Sequence, residues 1–497
     1  MRLLLTCVLV AFASASQAQE FDPKTIDEEV ERARKFFDVP GAAVAIVKDD
    51  KVAYLKGFGT RSLGGKEVTP DTLFPIASCS KAFTATAAAA LVAEGKMGWD
   101  DPVRKHVPSF RLDDGTADRE VTIRDLLTHR TGLPRHDLLW HNRDWSREEL
   151  VRRSAFVPPT KGFRAEWQYN NLMFIAAGLA VGNAAGAEWE DVVRTRILDP
   201  LGMKDTNFRV AETQKTDNFA RPHLRKSDGK VEEIPFFPLD ATAPAGGINS
   251  TARDLTQWVR FQLAGGKLGD KRILNAAVLA QTHAPVSVSV PLPIRAVTDD
   301  FTVQSTYALG WFVADYRGLK LVHHGGSIDG FTSFVLLVPK SNLGIVVLNN
   351  RHRSPLPFAL GYRIVDLLHG LPDVDWNRRH QDAVEGLEKL LDGENEKRLA
   401  KQKKGTSPSV PAKAVAGVYE HPGYGKVTFA ADGDKLVMKY AMYTEVMEHF
   451  HYDTYHIPKQ TGLWPYMWQD GQATFRLAAD GSVSGVEFQG VEFKRVR

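Results

Sequence analysis

Residues 81 to 94 read KAFTATAAAALVAE, a run that is apolar nearly all the way round, and this property constrains the fold more than any other. A helix with no polar face cannot lie on a surface, so this one has to run through the interior and be covered on every side. Gly95 supplies its stop. Directly ahead stands PIASCSK, which puts a lysine where packing alone has no use for one. With Ser78 opening the helix, Lys81 lies one turn along on the same face, and its amine reaches the serine hydroxyl. That hydroxyl is a weak nucleophile in need of a base, and a lysine among apolar residues gives up its proton more readily than a solvated one. A helix start also offers free backbone N–H groups to a developing negative charge.

A helix that must be surrounded needs a large core, and the 497 residues suffice for two domains with accessory segments. GAAVAIVKDDKVAYLKGFG (41–59) has two β-branched or aromatic runs joined at Asp49-Asp50, the pattern of a hairpin. FTSFVLLVPKSNLGIVVLNN (331–350) repeats the pattern around Pro339 to Asn342. Two hairpins so far apart predict one shared antiparallel sheet with a mainly helical region between them, an α/β (α+β) sandwich with a helical lobe. LMFIAAGLAV (172–181) reads as a second core helix, and Thr251 with Asp254 marks a helix start. Residues 373–411 turn highly charged and end in Ser and Pro, which predicts a short surface helix and a linker. From 412 to 497, Asp-Gly turns in two AADG copies between alternating runs predict a small all-β domain. Its aromatics, Tyr440, Tyr443, Phe450, Tyr452, Tyr455, Trp464, Tyr466 and Trp468, read as a β-core and its rim.

The 63 basic and 60 acidic residues leave a net charge of +3, too little over such a surface to argue for nucleic acid; the expected partner is a small molecule or peptide. Residues 1–18 match a secretory signal peptide cut near Ala18, which predicts a secreted or periplasmic protein. Its apolar stretch is about half of the roughly 20 residues that span a bilayer, so no membrane span is expected after cleavage. Cys79 is then the lone cysteine of the mature chain, so no internal disulfide can form, and it reads as a packing residue. His129, His136, His141, His323 and His324 lack the compact spacing of a zinc site, and no metal is expected.

Two more stretches carry chemistry. In EWQYNNLMF, Tyr169 and Asn171 precede a core helix and can present a phenol for proton transfer and an amide for orientation. In LVHHGGSIDGF, a histidine and two glycines precede a sheet edge, where a backbone N–H can complete an oxyanion hole. In this order and at these separations the three elements resemble the serine β-lactamase and penicillin-binding-protein superfamily, in its class C-like branch with D-stereospecific peptidases and esterases. The resemblance spans roughly residues 24–370, within a domain read as 19–372, and includes DLLTHRTGLP, PAGGINSTARDL and GGSIDGF. The C-terminal segment resembles, more loosely, the lipocalin-like domain often appended to such proteins.

The resemblance implies that Ser78 is acylated, Lys81 activates it and Tyr169 passes a proton to the leaving group. Asn171 would orient Lys81 and substrate, and His324, Gly325 and Gly326 would stand at the substrate-binding Lys-Thr-Gly or His-Thr-Gly position. The backbone N–H groups of Ser78 and Ser327 would form the oxyanion hole, and His129 and Thr131 would be structural. No cofactor is implied. The chain departs from the β-lactamase pattern where a permanent cation is replaced by His324 and a threonine by Gly325. That puts esters, amides and D-amino-acid peptides at least level with β-lactams. The alternatives are a β-lactamase, a penicillin-binding sensor that acylates without turnover, or a scaffold that keeps the fold alone; the oligomeric state is left open.

Overall fold

The computed structural model describes residues 22–141, 143–226, 228–288, 297–298, 300–458 and 471–496. The signal segment 1–18 and the aromatics Trp464, Tyr466 and Trp468 lie outside the described residues. Strands β1 (Gly41–Lys48) and β2 (Lys51–Gly59) form the first hairpin, with Asp49 and Asp50 both at positive φ in its turn, the geometry that follows the twist of the strands. After the helical lobe come β3 (Ser287–Val288), β4 (Thr302–Tyr307), β5 (Phe312–Tyr316), β6 (Leu319–Ile328), β7 (Phe331–Val338) and β8 (Leu343–Asn349). They make one antiparallel sheet in the order β2-β1-β8-β7-β6-β5-β4-β3, so the two expected hairpins meet toward one side of it, Val44 opposite Val347.

The central strands are apolar without interruption because both faces of the sheet are covered. On one face Val44, Ile46, Phe334, Leu336, Ile345 and Val347 pack with the cluster that includes α1 (Pro23–Phe36) and, near the chain's end of this domain, a helix at Leu356–His369. On the other, Ala43, Ala45, Val335, Leu337 and Val346 belong to a cluster shared with α2 (Ser80–Ala93), α3 (Asn171–Ala185) and α4 (Ala252–Leu263). Because successive side chains alternate between faces, each strand serves both layers. The Leu356–His369 helix is α5. Helix α2 is the buried helix of the sequence: eleven of its residues, Lys81 among them, are out of contact with water. Thr251 caps α4 by accepting from the Asp254 N–H at 3.0 Å, while the Asp254 carboxylate turns instead to the Thr206 hydroxyl and backbone.

Helix α6 (Trp376–Ala400) is longer than the short surface helix expected there, and its first turn is buried. The reason is Trp376, whose indole N–H donates to Asp366 at 2.7 Å and whose ring stacks on Tyr362. The all-β segment closes into an eight-stranded barrel running from Gly417–His421 to Val491–Arg495, with Tyr419, Phe429, Met438 and Phe475 inside. Tyr440, Phe450 and Tyr455 are buried in it, and Tyr452 is exposed at its rim. The barrel docks on the 134–153 segment of the larger, sheet-containing domain. Tyr424 and Tyr443 bond the rings of His136 and His141, Arg143 donates to the Tyr424 carbonyl at 2.8 Å, and Tyr440 donates to the Leu138 carbonyl at 3.2 Å. Among the described residues no single helix is long and apolar enough to cross a membrane.

Trp258 of α4 stacks on Phe83 of α2 with ring centroids 3.8 Å apart, tying the sheet's cover to the buried helix. Trp258→Ala is expected to cost about 3 to 5 kcal/mol of stability. Chemical denaturation of the full chain, followed by tryptophan fluorescence, measures it.

Candidate active site

Ser78 lies in a single 3₁₀ turn, Ala77–Cys79, that feeds α2. Ala77 is held at φ +47, a left-handed conformation that costs an alanine on the order of 1 kcal/mol. The strain is imposed by close packing: a Cβ on Gly326 would fall 2.2 Å from the Ile76 carbonyl and 3.0 Å from the Ala77 Cβ. Only a glycine lets β6 lie against this turn. Ser78 itself is partly exposed, whereas its neighbours Cys79 and Ser80 are buried.

The Lys81 Nζ is surrounded by oxygen. It lies 3.1 Å from the Ser78 Oγ, 2.7 Å from the Asn171 Oδ1 and 2.7 Å from the Ala245 carbonyl, with the rings of Tyr169 and Phe174 about it. Burial, and next the nearby Arg135 charge, hold its pKa well below that of a free lysine. In the neutral amine the two N–H groups directed at Asn171 and Ala245 leave the lone pair for the serine, because neither of those oxygens can donate. The Tyr169 hydroxyl donates to Ser78 Oγ at 2.8 Å, and burial raises its pKa, so the phenol keeps its proton at neutral pH.

Strand register orients the backbone beside the Ser78 turn. Pairing of β5 with β6 stops at Phe312 opposite His323, so residues 324–328 have β7 on one side and the Ser78 turn on the other. Across the tight Asp329-Gly330 turn, Ile328 and Phe331 form the closing pair; alternation then points the Ser327 N–H away from β7, toward that turn. The N–H of Ser78 belongs to a first helical turn, which has no intrahelical acceptor.

His324 is buried beside Tyr169, with ring centroids 6.4 Å apart. Its Nε2 is 3.0 Å from the Tyr307 hydroxyl and its Nδ1 2.7 Å from the Gly325 carbonyl. Burial, then the Lys81 charge, lower its pKa to about 3, so it is neutral at pH 7. Gly325 faces the opposite way: a Cβ there would meet the Phe358 ring at 2.5 Å, on the α5 side of the sheet. A side chain at this position would therefore not enter the cleft, contrary to its reading as the place of a missing substrate-binding hydroxyl. Cys79 bonds the His324 carbonyl and Ser333, and burial pushes its thiol up to about 12. His129 packs behind Tyr169 and accepts from the Asn170 N–H at 3.1 Å. Among the described residues no three His, Cys, Asp or Glu side chains cluster to hold a metal.

The structure brings Ser78, Lys81, Tyr169 and Asn171 together and adds residues that the sequence reading did not assign. Asp137 accepts from the Asn171 Nδ2 at 3.4 Å and thereby turns the amide so that Oδ1 faces Lys81. It also accepts from Trp140 at 3.0 Å and from the Arg135 Nε at 2.7 Å. Both acidic and basic members stand just past the DLLTHRTGLP stretch, which was the only signal available for them. Ala245 lies in the PAGGINSTARDL stretch, though nothing there marked its carbonyl, and Tyr307 carried no signal.

A profile of the Beta-lactamase family matches residues 27–369. The chain belongs to the beta-lactamase family. It is a serine hydrolase of that family, with a second match, a domain of unknown function (DUF3471), over residues 401–496. Unguisins hydrolase ungD' of Aspergillus campestris is 29% identical over 431 residues, covering 83% of this chain and 78% of that one. Protein flp of Staphylococcus aureus (strain MW2) is 30% identical over 344 residues, 67% of this chain and 64% of flp. The octameric penicillin-binding protein homologue from Pyrococcus abyssi shares the fold over 95% of this chain and 100% of its own, with a TM-score of 0.62 and 23% identity. A D-stereospecific amidohydrolase from Streptomyces sp. does so over 67% of this chain and 95% of its own, at 0.55 and 24%.

Asp137→Ala in this hydrolase frees both the Asn171 amide and the Arg135 side chain. A fall of roughly tenfold in kcat, at the scale of one lost hydrogen bond to a charged group, with the fold intact by circular dichroism, is the expected result.

Proposed function

We propose that the protein is an exported serine hydrolase that acylates Ser78 and cleaves esters or amides, D-amino-acid peptides among them. The observation that carries this reading is the three-oxygen setting of the Lys81 amine, which leaves its lone pair to the Ser78 hydroxyl. In the first step the Ser78 Oγ attacks the substrate carbonyl carbon while its proton passes to Lys81. The Ser78 and Ser327 N–H groups receive the carbonyl oxygen as it becomes negative. The bond to the leaving nitrogen or oxygen then breaks as that atom takes the Tyr169 proton, and the proton on Lys81 restores the phenol. Water attacks the acyl carbon in the second step, the amine and phenol pair takes its proton, and Ser78 leaves as the hydroxyl.

Export rests on the N-terminal pattern and is tested by the mass of the secreted chain, which should begin after about residue 18. The neutral, internally bonded His324 offers no cation at the strand position where the β-lactamase pattern has one, which favours esters and amides over β-lactams. The names of the relatives, a hydrolase of unguisins and a D-stereospecific amidohydrolase, point the same way. A chromogenic short-chain ester and a chromogenic cephalosporin, compared by kcat/KM, decide between the readings: ester turnover with little cephalosporin hydrolysis is expected. Ser78→Ala should abolish it, and Lys81→Ala should lower it about 100- to 10,000-fold. A burst of cephalosporin-derived adduct without turnover would establish the sensor instead. Because the amine must be neutral to accept the proton, activity should rise with pH through the Lys81 pKa, an acid limb well below that of free lysine.

A further inference from the structure

We propose that Arg135 forms an anion subsite of the cleft and selects substrates carrying a carboxylate a few bonds from the scissile carbonyl. The inference rests on Ser78 being the acylated residue and deepens that reading by naming a substrate class.

The guanidinium carbon of Arg135 lies 5.2 Å from the centre of the Tyr169 ring, the same ring whose hydroxyl touches Ser78. It therefore lies against the wall of the cleft that carries Tyr169. Its side chain nonetheless retains 54% of its exposure, so the charge is open to solvent inside the cleft. Only its Nε is engaged, by the Asp137 Oδ2, while the other Asp137 oxygen is committed to Trp140 and Asn171. Among the described residues neither terminal nitrogen of Arg135 has a hydrogen-bond partner. Those two nitrogens form the fork that matches a carboxylate.

The other candidates for this task are occupied. Lys81 spends its three positions on Ser78, Asn171 and Ala245, and both ring nitrogens of His324 are bonded within the protein. The charge needed to recognise an anion has thus moved from the strand at position 324 to the opposite wall. That wall is not a loose loop. His136, next to Arg135, bonds Tyr424 of the barrel, and Leu138 accepts from Tyr440. The backbone just after Arg135 is thus held against the barrel, and a cation on a held segment loses less freedom on binding.

The test compares substrates that differ only in charge: 3-acetoxybenzoate against its methyl ester, for a carboxylate on the leaving side, and p-nitrophenyl hydrogen adipate against p-nitrophenyl methyl adipate, for one on the acyl side. In at least one pair the charged member should be preferred about 10- to 100-fold in kcat/KM, the scale of a charge-assisted hydrogen-bonded pair. Arg135→Gln should bring that ratio near one, Arg135→Lys should restore part of it, and added salt should erode it, since the site is solvated. Any effect of Arg135 on Lys81 acts on both members of a pair and cancels in the ratio. A ratio of one or less in both pairs, or one that Arg135→Gln leaves unchanged, overturns the proposal. Failure of the underlying reading looks different: Ser78→Ala would keep its activity on the neutral esters, and no acyl adduct would appear on Ser78 by mass spectrometry.

Discussion

The amine of Lys81 is taken wholly out of water, and most of the hydrolase domain can be understood as the means of keeping it there. An ammonium in that position would be costly, and burial shifts the balance toward the neutral amine. The apolar α2 supplies the dry surroundings, α3 brings Asn171, and the turn ahead of α4 brings the Ala245 carbonyl. The sheet contributes on its other flank by pressing Gly326 against the Ser78 turn. Reactivity here is a property of packing as much as of residue type.

The same packing settles the state of the neighbours. Tyr169 keeps its proton and His324 stays neutral, both chiefly because they are buried. The proton route proposed above needs only this pair, a neutral acceptor beside a protonated phenol, and no further charged group at the serine. Positive charge instead sits at the rim, where water reaches Arg135.

Much of this was legible in the sequence. An all-apolar helix has one place to go, two distant hairpins with buried strands define one sheet, and Ser78 with Lys81 at a helix start have one turn of separation to bridge. Tyr169 and Asn171 were found through the order of three motifs together. What was not legible depends on contacts between distant segments. The Ala245 carbonyl that also bonds the lysine comes from a residue 164 positions away. Neutrality of His324 depends on Tyr307, an unremarked tyrosine in a strand, and the direction of Gly325 depends on Phe358 behind the sheet. The charged segment after residue 372 misled for a similar reason, since its exposed helix is anchored by one buried tryptophan.

The seam between barrel and hydrolase domain is made of groups of a particular kind. Tyr424, Tyr440 and Tyr443 meet histidine rings and carbonyls, and Arg143 and Arg153 donate to the carbonyls of Tyr424, Pro422 and Gly423. Burial raises the pKa of Tyr424 and lifts that of Tyr440 to about 12, and it lowers that of His136 to about 4, so these partners stay uncharged across the neutral range. The two arginines donate to neutral carbonyls, so the bonds named here join no opposite charges and are far less sensitive to dissolved ions than ion pairs. Shape and choice are thereby separated in this molecule: brine can mute what the cleft prefers while the walls that define it stay where they are.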